Sequence, residues 1–167
     1  LDKSAYYLRE FYVKGKNMKK FLLAVSIAAI TVLSAQAEDM KVYKSPSCGC
    51  CGKWGEAMKQ SGFSSTEIKT DELMQVKAQF KVPDELASCH TAVVDGYVIE
   101  GHVPPAEVKR LLELKPADAI GIAVPGMPME SVGMKQGGEP EKYDVILFKK
   151  DGSQEVFATY LGDKKLK

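Results

Sequence analysis

The chain has 167 residues, 27% of them charged, and its 23 basic and 22 acidic side chains leave a net charge of +1. That balance, with no basic run, excludes the electrostatic footprint of a nucleic-acid binder. It also offers no basic amphipathic face for a membrane surface.

The first feature in chain order lies at Met18-Lys19-Lys20, followed by an apolar stretch from Phe21 to Leu33 and by Ala35-Gln36-Ala37. A short basic region, an apolar core too short to span a bilayer and a small-residue cleavage tripeptide read as a secretory signal over residues 18–37. Residues 1–17 carry no pattern and read as an upstream, tag-like segment. One domain is expected over 38–167, enough chain for a single core. Residues 1–37 hold six of the basic and two of the acidic side chains, so the remainder nets −3. After signal cleavage the expected location is the periplasm, with no membrane attachment.

Lys41 to Tyr43 is a short strand signal, broken by Ser45-Pro46-Ser47. Gly52 to Gln60 reads as a helix with Trp54, Ala57 and Met58 at helical spacing, stopped at Ser61-Gly62. Phe63 to Ile68 is a second strand. Thr70-Asp71 precedes a second helix, with Leu73, Val76 and Phe80 on one face and an end at Pro83. Thr91 to Val94 and Tyr97 to Ile99 flank Asp95-Gly96, a strong hairpin signal. Pro104-Pro105 opens a third helix bearing Val108, Leu111 and Leu112. Residues 116–141 are rich in Gly, Pro and Met and read as irregular. Tyr143 to Phe148 and Glu155 to Tyr160 form a closing hairpin around Lys150-Asp151-Gly152.

All four cysteines fall after residue 37, and three of them lie in Cys48-Gly49-Cys50-Cys51. A strand running into a Cys pair at a helix start is the thioredoxin arrangement. Unpaired N–H groups and the dipole there stabilise a thiolate, the form that attacks disulfides and the form that binds metal. Cys48 and Cys51 suffice for a dithiol–disulfide couple. Cys50 is surplus to that chemistry, and Gly49 lets the backbone wrap three sulfurs around one small volume. Such a donor set suits a soft ion such as Cu(I) and offers nothing to Mg or Ca. The bland alternative is a pair of disulfides, for example Cys48–Cys51 and Cys50–Cys89. As a staple alone, a four-residue loop stabilises little.

Cys89-His90 stands just before a strand, at a junction that would face the cluster, so Cys89 is a candidate fourth sulfur. His90 can point either way. His102 follows the hairpin, and Met127, Met129 and Met134 sit on the Gly/Pro-rich stretch with no period that would bury them. Thioethers there suit copper as well, against the alternative that they fill core gaps. Met40, Met58 and Met74 read as terminus and helix positions. Zinc is a secondary candidate, because Cys89-His90 is a poor second ligand pair. No paired-carboxylate, Ser-His-Asp or phosphate-loop pattern is present.

Four stretches together carry a family resemblance: Ser45-Pro46-Ser47-Cys48-Gly49-Cys50-Cys51-Gly52-Lys53-Trp54, Ser88-Cys89-His90-Thr91, Val98-Ile99-Glu100-Gly101-His102-Val103-Pro104 and Pro125-Gly126-Met127-Pro128-Met129-Glu130. In that order they resemble the CopG-like family of periplasmic copper-resistance proteins, over essentially all of 38–167. The resemblance implies an α/β, thioredoxin-like domain with a central mixed sheet flanked by helices, a Met/Pro/Gly-rich loop and a C-terminal hairpin. It implies a copper site with Cys48, Cys50 and Cys51 as core ligands. Cys89, His102, Met127, Met129 and Met134 would be further ligands or close neighbours. Sulfurs so close together would bridge more than one Cu(I). The implied partners are copper ions and other periplasmic copper-handling proteins. Three activities stay open: copper binding with Cu(I)/Cu(II) cycling as an oxidoreductase, thiol–disulfide exchange through Cys48 and Cys51, and passive storage or delivery. Thr91 stands where thioredoxins carry a proline, which weighs against disulfide exchange.

Overall fold

The computed structural model describes residues 39–167, which fall in one compact unit, Ala37–Lys167. The expected signal and the segment before it lie outside the described residues. In chain order the elements are β1 (Asp39–Lys44), α1 (Gly49–Gln60), β2 (Ser64–Lys69), α2 (Leu73–Gln79), a 3-10 turn (Asp84–Leu86), β3 (His90–Val94), β4 (Tyr97–Glu100), α3 (Pro105–Leu114), β5 (Ala119–Ala123), β6 (Lys142–Lys149), β7 (Gln154–Leu161) and β8 (Lys164–Lys165). One mixed sheet takes all eight strands in the order β2-β1-β3-β4-β5-β6-β7-β8. β1 runs parallel to β2 and antiparallel to β3, and β4 runs parallel to β5. The remaining neighbours are antiparallel. The fold is therefore α/β, with three α-helices among the described residues.

Alternation along the strands divides the core. Val42, Ala92, Ile99, Ile122 and Leu147 meet Trp54 and Met58 of α1 and Val108, Leu111 and Leu112 of α3 in one cluster. Their strand neighbours Val98, Ala123 and Phe148 meet Phe80, Val82 and Leu86 in the other. So α1 and α3 cover one face, and the segment from α2 to the 3-10 turn covers the opposite one. Trp54 is fully buried and donates its indole N–H to the Val103 carbonyl at 2.9 Å, tying α1 to the entry of α3. Among the described residues no helix is long and apolar enough to cross a membrane.

The structure corrects three local expectations. α1 begins at Gly49 rather than Gly52, so Cys50 and Cys51 lie inside its first turn. The N-cap of α2 is Glu72, while the Thr70 hydroxyl accepts the Glu72 N–H at 3.0 Å. The stretch 116–141 is not irregular throughout, because Ala119–Ala123 is an inner strand. Its five residues alternate little, as fits a strand covered on both faces. Gly121 is required there, since a Cβ would fall 1.9 Å from the Val98 carbonyl oxygen.

Candidate metal centre

β1 ends at Lys44, and a turn closed by the Cys48 N–H on the Ser45 carbonyl at 3.1 Å delivers the chain to α1. Cys48 is the N-cap residue, and the first turn holds no acidic side chain. The free N–H groups and the positive end of the dipole therefore meet no carboxylate from the helix's own first turn, which carries Cys50 and Cys51 instead. Cys48 and Cys51 form a disulfide with Cα atoms 5.5 Å apart, while Cys50 and Cys89 are free thiols. Of the two bridges weighed from the sequence, Cys50–Cys89 does not form. Cys50 Sγ lies 3.5 Å from Cys48 Sγ, and Cys51 Sγ lies 3.6 Å from the Cys89 carbonyl oxygen. The four sulfurs are all within 4.8 Å of one another.

Cys89 also belongs to a second group. Its sulfur stands 3.0 Å from His102 Nε2 and 3.4 Å from His90 Nδ1, and the three ligand atoms lie within 4.8 Å of one another. His102 donates Nδ1–H to the Val132 carbonyl at 2.7 Å. That bond fixes the tautomer and leaves the Nε2 lone pair aimed at Cys89, the orientation a metal-ligating histidine takes. His90 is fully buried, with its ring 4.3 Å from that of Trp54 and 5.3 Å from that of His102. Its Nε2 has no hydrogen-bond partner among the described residues. A buried orphan of this kind costs about 1–3 kcal/mol and calls for an explanation.

Burial dominates the electrostatics. It pushes the Cys89 thiol up to about 12, with the Cys50 sulfur beside it adding in the same direction. Burial holds His90 well below the usual imidazole range, helped by His102 and by the Lys77 and Lys44 ammonium groups. Burial lowers His102 too, against the opposing bond to Val132. Both imidazoles are thus neutral at pH 7, the form that binds metal. The Cys89 thiol keeps its proton until a cation displaces it.

A buried polar network supports the Cys89 segment. Lys77 Nζ lies 2.5 Å from Glu100 Oε1 and 3.1 Å from Thr91 Oγ1, and the Thr91 hydroxyl donates to Glu100 Oε2 at 2.7 Å. Glu100 Oε1 also accepts the Ser88 N–H at 2.7 Å, which holds the chain entering Cys89. Burial raises the Glu100 carboxyl above its ordinary range, with Lys77 pulling the other way.

The loop after β5 folds back over the site. Ser88 donates its hydroxyl to the Gly126 carbonyl, and a Ser88–Gly126 bridge pairs the two backbones. Further on, the Glu130 carboxylate accepts the N–H groups of Gln136, Gly137 and Gly138 at 2.7, 2.8 and 3.1 Å. Gly133 rests against the centre with φ +88°. A Cβ there would lie 2.9 Å from Trp54 N, 3.0 Å from Cys50 O and 3.1 Å from His102 Nδ1.

Of the residues singled out from the sequence, Cys48, Cys50, Cys51, Cys89 and His102 come together. Met127 is exposed and lines a pocket that Cys89 also lines. Met129 is half-buried, with its methyl close to Gly138. Met134 is buried, although no helical or strand period predicts it. His90 joins the centre although the sequence left its direction open. Its place at the head of a strand buried on both faces was the available signal.

Comparison with known proteins fits this donor set. A family described as "Protein of unknown function, DUF411" matches residues 86–134, from the 3-10 turn to Met134. Comparison with the curated proteins gives no match. Among solved structures, "Copper resistance protein copG- Form 2" is 38% identical, covers 75% of this chain and 99% of its own, and superposes with a TM-score of 0.72. "Copper resistance protein copG- Form 1" is also 38% identical, covers 76% and 100%, and gives 0.71. Fold and site thus define a mixed α/β protein with a thiolate–imidazole group of metal-ligand type. The chain belongs to the family of these copper resistance proteins.

Proposed function

We propose that this protein binds Cu(I) in copper resistance, through a CxCC thiolate site in a thioredoxin-like domain exported to the periplasm. One observation carries the reading: four sulfurs and two neutral imidazoles form two overlapping groups that share Cys89. Thiolate and imidazole donors without a carboxylate suit Cu(I) better than harder ions. In this reading Cys48, Cys50, Cys51 and Cys89 form the sulfur wall, with His102 and His90 as nitrogen ligands. In the same reading Met127, Met129 and Met134 would act as helpers. Overlap at Cys89 supports a polynuclear cluster, because one bridging thiolate then serves both groups. The copper-resistance relatives support the same reading. The thioredoxin-like part rests on the strand order β2-β1-β3-β4 with β3 antiparallel to its neighbours, and on cysteines at the start of α1. Export rests on the sequence of residues 18–37.

The test is an anaerobic Cu(I) titration of the reduced protein followed by native mass spectrometry. About two or more Cu(I) per chain are expected from the two overlapping groups. A metal-free spectrum under excess Cu(I) would sink the proposal. The Cys48–Cys51 disulfide favours a second reading, a thiol–disulfide oxidoreductase. That reading needs no third sulfur, so Cys50→Ser should then leave disulfide-reductase activity intact. Voltammetry of the copper-loaded protein separates valence cycling from passive storage or delivery. A reversible Cu(I)/Cu(II) wave marks the former, and its absence the latter.

A further inference from the structure

Two of the large hydrophobic side chains left exposed are methionines, Met74 at 62% and Met127 at 53%. They come from different parts of the chain, α2 and the loop after β5, yet both line one pocket of about 340 Å³. Cys89 lines it too, with Lys77, Ala87, Ser88 and Gly126. Two exposed thioethers scattered over a surface would need no comment. Here they converge on the one cysteine common to both metal-ligand groups.

The other polar side chains of the pocket are already engaged. Ser88 gives its hydroxyl to the Gly126 carbonyl. The Lys77 ammonium points to Glu100 and Thr91, and the buried carboxylate offsets its charge against an approaching cation. Sulfur is what the lining side chains leave free: two thioethers outside and one thiol further in. Neutral thioethers hold a soft monovalent ion weakly and hold hard divalent ions hardly at all.

We infer that Met74, Met127 and Cys89 form an outer Cu(I) landing site, from which the ion passes to the buried cysteine–histidine groups. No electron or covalent group moves in this step. The ion keeps the Cys89 sulfur, whose thiol proton leaves to solvent, and exchanges the two thioethers for the other ligands of the Cys89 groups. For the ion's destination the inference rests on the function proposed above. For the landing itself it does not.

The test uses the full chain labelled with [13Cε]methionine, with the Cys48–Cys51 disulfide intact and then reduced. Cu(I) is added anaerobically as its acetonitrile complex. The Met74 and Met127 methyl resonances should shift together in both forms, while the fully buried Met40 and Met58 stay in place as internal controls. In the Met74→Leu/Met127→Leu variant, the lining stays apolar and loses only its thioethers. In that variant the rate of Cu(I) transfer to a competing chelator should drop by an order of magnitude. Unmoved methyls while the thiols load copper would overturn the inference, as would an unchanged transfer rate. Methyl shifts with no copper on the thiols would keep the landing site and sink the deeper Cu(I) centre instead.

Discussion

Replacing Gly133 by alanine puts a methyl group where three atoms of the centre already stand. The added Cβ would lie 2.9 Å from Trp54 N and 3.0 Å from Cys50 O, both backbone, and 3.1 Å from His102 Nδ1. None of these is the free end of a flexible side chain, so the loop must move. Two costs combine. A non-glycine residue at φ +88° carries roughly 1–2 kcal/mol of backbone strain, and crowding against fixed neighbours adds about 1–3 kcal/mol. The expected loss is about 2–5 kcal/mol in urea denaturation of the apoprotein. Gly137→Ala is the control, because φ there is +79° but no described residue lies within 4 Å of the new Cβ. It should show the strain alone. The second readout is Cu(I) affinity by chelator competition. Moving the loop withdraws the Val132 carbonyl from His102 Nδ1, and loss of such a supporting bond lowers metal affinity about 10–100-fold. If Gly133→Ala matches Gly137→Ala in both stability and Cu(I) affinity, the loop does not brace the centre and the reasoning fails.

Cys50→Ser should leave the Cys48–Cys51 disulfide intact yet reduce the Cu(I) bound per chain, read by native mass spectrometry; an unchanged stoichiometry would exclude Cys50 as a ligand. Lys77→Met strands the buried Glu100 carboxylate and should cost about 3–5 kcal/mol in urea denaturation. The double variant Lys77→Met/Glu100→Leu should recover part of that loss, and a double no more stable than the single would refute the pairing argument. Burial alone would raise the Glu107 carboxyl, but hydrogen bonds from Lys165, Tyr160 and Arg110 outweigh it and hold it below the ordinary range. The folded state therefore binds this proton less readily than the unfolded chain. Its stabilisation is full above the unfolded carboxylate value, near pH 4.3, and is lost as pH falls through the lower folded value. Glu107→Gln should flatten that acid limb and cost about 1–2 kcal/mol at pH 7, a modest figure because Lys165 and Arg110 are part-exposed; identical acid limbs would contradict it.

The sequence exposed most of the fold, because patterns that repeat within a few residues are legible locally. The Asp95-Gly96 hairpin, the Val108–Leu111–Leu112 stripe and the closing hairpin all stand where periodicity and turn chemistry put them. β5 was hidden for a physical reason. An inner strand covered on both faces has no polar alternation, and its Gly121 reads as a breaker although the Val98 backbone demands it. The cysteine cluster announced itself by spacing, whereas its partners had to be folded onto it across forty to eighty residues of chain. The buried charges were the subtler loss. Lys77 sits at i+4 from Leu73, inside the stripe that Val76 and Phe80 complete, and Glu100 shares a strand face with Val98. A charge standing on an apolar stripe marks a buried partner, and these two find each other.

The sulfur count acquires its meaning from the disulfide. With Cys48 and Cys51 joined, neither sulfur carries thiolate charge, and a site made of that pair alone would have nothing to offer a metal ion. Here the closed state still keeps the Cys50 and Cys89 thiols, with His90 and His102 beside the latter. Adding two electrons and two protons to the disulfide frees two more thiols within 4.8 Å of the others. The centre therefore passes from two available sulfurs to four without losing the Cys89 group that both states share. On the proposed function, Cys50, surplus to thiol–disulfide chemistry, would let one helix start serve a redox pair and a soft-ion site together. Cys89 ties that helix start to the histidines, and the Glu100 carboxylate on the Ser88 N–H holds it in reach of both.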